Sequence, residues 1–110
     1  MTPVHARLKI AGTVKRSNMT FRHLFDQVAA HGMPVDKKRS VRDVVKKIGV
    51  SRAHFYNALS GRHRVHEDMV DILTAGLAAL APWVTRAAVQ KAIETTYRRE
   101  QNRRVREMAL

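Results

Sequence analysis

Apolar residues recur along most of the chain at the spacing of amphipathic helices, and short polar or glycine breaks divide them into five stretches. Phe21, Leu24, Phe25, Val28 and Ala29 fall at i, i+3, i+4, i+7 and i+8. Asn18 or Thr20 can cap this helix, and Gly32 supplies its stop. Residues 33–39, with Pro34, Asp36 and the run Lys37, Lys38 and Arg39, read as a loop. Ser40 caps a short helix with Val41, Val44, Val45 and Ile48 inside and Arg42, Asp43, Lys46 and Lys47 outside, ended by Gly49. Ser51 caps a second short helix, which turns Phe55, Ala58 and Leu59 inward and is closed by Gly61.

His66, Glu67 and Asp68 open a longer helix, the acids suiting its dipole, striped by Met69, Val70, Ile72, Leu73, Leu77 and Leu80 and ended by Pro82. A last helix is predicted from Pro82 or Trp83 towards Met108. Its stripe of Val84, Ala88, Val89, Ala92, Ile93, Thr96 and Tyr97 is narrower than that of a fully buried helix. Residues 2–16 carry two patterns: Thr2 and Pro3 suit a helix start, whereas Val4, Ala6, Leu8 and Ile10 alternate with polar residues as in a strand. An extended or pairing arm is expected there. The fold class expected is all-α, with about five helices: a basic N-terminal arm over 1–19, a helical domain over 20–81, and a C-terminal docking or dimerisation helix over 82–110.

Charge adds a partner to this picture. The 110 residues include 21 Lys and Arg against 9 Asp and Glu, a net charge of +12 that attracts polyanions. The basic residues are unevenly placed: residues 65–85 contain no Lys or Arg, and the flanking segments hold them all. The expected arrangement turns the basic flanks to an anionic partner and the 65–85 segment inward or onto another subunit.

Other chemistry finds little support. With no cysteine, thiolate metal sites, disulfides and cysteine nucleophiles are excluded. His63 and His66 with Glu67 lack the i,i+4 geometry of a zinc-binding helix, and no phosphate-binding glycine loop, carboxylate pair or nucleophile elbow occurs. The expectation is a protein that is not an enzyme and takes no cofactor and no metal. The longest strongly apolar stretch, Leu77 to Val84, contains Pro82 and is far short of the roughly 20 residues of a spanning helix. No signal-like apolar run follows the first basic residues, so no membrane partner and a cytoplasmic, nucleoid-associated location are expected.

The segment from Ser40 to Gly61, with Gly49 in the turn, apolar Val50, capping Ser51 and inward Phe55, Ala58 and Leu59, resembles the helix-turn-helix of the phage repressor and Cro family. The resemblance spans roughly residues 20–80. Val45 is bulkier than the residue the family favours there, and residues 33–39 look like an insertion. The resemblance places the base-reading face on Arg52, Ala53, Tyr56 and Asn57, and helical phase points to nearly the same set. It implies phosphate contacts from Ser40 and Arg42, from Ser51 and Ser60 at the edges of the reading face, and from Arg62, His63 and Arg64 beyond it. Lys37, Lys38 and Arg39 are candidates to add to them.

The function implied is sequence-specific binding of double-stranded DNA by a small transcriptional regulator, a repressor before an activator, acting as a homodimer on two half-sites. A protein partner on the C-terminal helix is also compatible. Alternatives are an accessory DNA-binding factor of plasmid transfer, partition or phage replication, and a nucleoid-coating or RNA-binding protein.

Overall fold

Each helix starts where a side chain can accept a hydrogen bond from an otherwise orphaned backbone N–H. The computed structural model describes residues 19–109, so the N-terminal arm lies almost wholly outside the described residues. Thr20 Oγ1 accepts from His23 N at 3.2 Å and opens α1 (Phe21–Ala30). Ser40 Oγ accepts from Asp43 N at 3.1 Å and opens α2 (Val41–Ile48), and Ser51 Oγ accepts from His54 N at 3.1 Å ahead of α3 (Arg52–Ser60). His66 Nδ1 accepts from Asp68 N at 3.3 Å ahead of α4 (Glu67–Leu80). The described residues form these helices and α5 (Arg86–Ala109), with no strand among them, so the fold is all-α.

The last helix begins later than the Pro82 or Trp83 start that the sequence pattern suggests. Ala81 takes an extended conformation, Val84 N donates to Ala81 O at 3.0 Å, and the resulting turn buries Val84. Thr85 Oγ1 then accepts from Ala88 N at 3.2 Å, and this cap delays the helix to Arg86. Ile72 also departs from its place in the α4 stripe and is 48% exposed. Val70, Leu73 and Leu77 define the buried line, and Ile72, one step of about 100° from Leu73, falls on its rim.

The core forms where these helices meet. Phe55 of α3 packs edge-on against Phe21 and Phe25 of α1, with ring centroids 5.5 and 5.6 Å away, and Leu24, Val28, Val44, Leu73, Leu77 and Val89 close around them. Burying each such side chain contributes roughly 1.5–3 kcal/mol. Val89, Ala92 and Ile93 belong to the same core, so residues 81 and 82 mark a bend inside one packed unit. The first half of α5 docks on α1, α3 and α4, whereas Val105 and Met108 in its second half are 64% and 84% exposed.

Polar ties fix the docking. Phe21 N donates to Thr96 Oγ1 at 2.7 Å, and that hydroxyl donates to Ala92 O at 2.8 Å, so one threonine satisfies the start of α1 and its own helix. Arg86 Nε reaches Asp71 Oδ1 at 2.5 Å and joins α5 to α4. Trp83 Nε1 donates to His31 Nδ1 at 3.2 Å and clips the 81–85 turn to the end of α1. Between α2 and α4, Gly76 admits close approach, since a Cβ there would stand 2.4 Å from Ile48 Cβ.

Candidate nucleic-acid interface

The geometry of the α2–α3 pair starts at Gly49. Its φ of 74° is a left-handed conformation that costs a non-glycine residue roughly 1–2 kcal/mol, and its N–H closes α2 on Val45 O. The chain then needs only Val50 and the Ser51 cap before α3 begins. Buried Val44 and Val45 on one side and Phe55 and Ala58 on the other lock the two helices together. This packing determines which face of α3 is presented outward.

Arg52, Ala53, Tyr56 and Ser60 are exposed on that face, and Asn57 is half-buried at its margin. Their positions fall within an arc of about 140° at 100° per residue, a continuous strip of a cation, a methyl, a phenol, an amide and a hydroxyl. A helix fits the major groove, about 12 Å wide, where guanidinium and amide groups bond base edges and a methyl meets thymine. The structure therefore brings all four base-face candidates into one strip, with Ser60 at its C-terminal edge.

The phosphate candidates divide into available and engaged groups. Among the described residues, Arg42, Arg62 and Lys37 are exposed and belong to no ion pair, and His63 is exposed next to Arg62 in the chain. Ser40 accepts from the backbone of its own helix and retains a hydroxyl proton to donate. Ser51 is more committed, since its hydroxyl also bonds His54 Nδ1 at 2.8 Å. Arg64 lies over the ring of Tyr97, 4.6 Å from its centroid, a cation–π contact that ties the 61–66 loop to α5. Lys38 pairs with Asp26 at 3.2 Å, and Arg39 Nη1 donates to His31 O at 2.8 Å, so two of the three loop cations hold the loop against α1.

Two cationic groupings stand outside the base and phosphate candidates read from the sequence. Lys46 and Lys47 line a groove of about 570 Å³ with Arg39, Asp43 and Met33, and no residue of α3 borders it. A second groove, of about 560 Å³, runs between α1, the end of α3 and α5, with Arg22, Arg99, Arg103 and Arg106 on its walls. On α5 the i,i+4 and i,i+7 spacing of Arg99, Arg103 and Arg106 was the available signal. Their nearness to Arg22 depends on how the helices pack.

The carboxylates near this groove are neutralised. The Arg103 guanidinium, hydrogen-bonded to Glu100 at 2.7 Å and aided by Arg104, holds the Glu100 carboxyl below its ordinary range against partial desolvation. Arg103 is raised in turn, first by that hydrogen bond, and it also reaches Glu107 at 2.5 Å. A third groove, of about 480 Å³, lies between the 64–70 segment and α5, where Val65, Val70, Ile93 and Tyr97 meet Gln101 and Arg98. Among the described residues no group of three potential metal ligands occurs, and no helix is long and apolar enough to cross a membrane.

Comparison with protein-family models, curated proteins and solved structures finds no match to this chain.

Proposed function

We propose that the protein binds double-stranded DNA sequence-specifically through α3 and acts as a small transcriptional regulator, a repressor before an activator. The observation that carries this reading is the outward strip Arg52, Ala53, Tyr56, Asn57 and Ser60, held by a left-handed Gly49 turn, together with the exposed cations Arg42 and Arg62, which form no ion pair among the described residues. Arg52 is the base-reading residue, suited to bidentate bonding of guanine O6 and N7, and Asn57 to adenine or a phosphate. Ser40, Arg42, Arg62 and His63 set the register by holding phosphates. The reading assigns no catalytic step and no cofactor, and it places the protein on the nucleoid.

One short recognition helix reads only a few base pairs, so the proposed working form is a homodimer on half-sites about 34 Å apart. The second half of α5, with Val105 and Met108 outward, or the acidic outer face of α4, supplies the contact between copies. Selection of bound duplexes from a random pool at about 150 mM salt tests the reading, because non-specific electrostatic binding is weak there. A two-fold symmetric motif supports a dimeric base reader. A pool that emerges unenriched refutes it and favours charge-driven coating of nucleic acid.

A further inference from the structure

The groove between α1, the end of α3 and α5, of about 560 Å³, carries four arginines on its walls, none of them a base-reading candidate. Its walls include Thr20 and Arg22 from the start of α1, Ser60 from the outward strip of α3, and Arg99, Arg103 and Arg106 from α5. Because Ser60 belongs to both surfaces, the groove continues directly from the strip that carries Arg52 and Tyr56. Its acid, Glu100, is only 14% exposed at the side chain and is held by Arg103 and Arg104, so it offers little repulsion to an anion. Arg103 is itself committed to Glu100 and Glu107. Arg22 and Arg106 are exposed and, among the described residues, form no ion pair.

Resting on the DNA-binding reading above, we propose that this groove is a second phosphate-binding surface, which takes the sugar-phosphate backbone of the duplex beyond the end of α3 through Arg22 and Arg106. Guanidinium groups suit this role because their fork of donors matches phosphate oxygens and remains charged at every physiological pH. Arg22 enters the groove from α1 and Arg106 from α5, so a backbone laid along it meets donors from both helices. The footprint thus extends past the base-reading strip, and the C-terminal helix becomes part of the DNA interface.

The test measures binding of the full chain to a 30-base-pair random-sequence duplex from 50 to 300 mM NaCl. Each phosphate contact adds about 1 to the slope of log affinity against log salt. Arg22→Ala and Arg106→Ala should each lower the slope by about 1 and the double variant by about 2, while Arg98→Ala, on the wall of the other α5 groove, leaves it unchanged. All three positions are exposed, and thermal melts verify the fold of each variant. Arg22→Ala/Arg106→Ala binding with the unaltered slope overturns the inference, as does an equal loss from Arg98→Ala, which would mark a general charge effect. No duplex binding by the unaltered protein overturns the proposed function itself, and the groove assignment with it.

Discussion

The carbonyl oxygen of Thr96 occupies the space a side chain on Gly61 would need: a Cβ at Gly61 would stand 2.6 Å from it. Gly61 also has a φ of 73°, and its own carbonyl accepts from Gln101 Nε2 at 3.2 Å. The end of the proposed recognition helix is thereby pressed against α5, and Thr96 in turn holds the start of α1 through Phe21 N. Position 61 thus links the outward strip of α3 to the helix that carries the basic groove.

Gly61→Ala combines a left-handed residue with a backbone clash and should destabilise the fold by at least about 2 kcal/mol. Gly49→Ala has the same left-handed cost but open space around it, and should lose only about 1–2 kcal/mol. Denaturant melts of the two variants check the order. Equal losses would show that the Thr96 carbonyl moves aside readily.

Thr96→Val keeps the shape of the side chain and removes the acceptor for Phe21 N, a buried donor, so a loss of about 1–3 kcal/mol is expected. Thr96→Ser keeps the hydroxyl and should recover most of it. Thermal melts with amide exchange at Phe21 distinguish the two: faster exchange in the valine variant alone is the expected result.

Arg52→Ala should cost about 1–3 kcal/mol on a selected duplex and relax preference at one base pair, whereas Arg62→Ala should weaken all duplexes alike and flatten the salt slope by about 1. Titration of matched and mismatched duplexes measures both. A uniform loss from Arg52→Ala would remove that residue from base reading.

Glu100 contributes an acid-sensitive tie. Its carboxyl lies below its ordinary range in the folded protein, so its stabilising contribution is present above that range and is lost as pH falls through the folded value. Glu100→Gln should therefore melt below the unaltered protein at pH 7. The difference should shrink as pH falls below about 4.5. A gap that stays constant down to pH 3 would assign the effect to packing.

The starts of α1 to α4 were legible in the sequence because capping is local: Thr20, Ser40, Ser51 and His66 each accept from an N–H two or three residues ahead, whereas the start of α5 at Arg86, behind the Thr85 cap, was not. The left-handed turns at Gly49 and Gly61 and the outward strip of α3 follow from the same short-range rules of backbone strain and helical phase. Tertiary structure decided how the charges are used. Lys37, Lys38 and Arg39 look alike in the chain, yet Lys38 turns to Asp26 and Arg39 to His31 O, while Arg64 settles on Tyr97. Helix packing also brings Arg22 to the groove that holds Arg106 and brings Gly61 against Thr96. Periodicity assigns a residue to a face of its own helix. Which distant group meets that face depends on the shapes of the side chains packed between the helices.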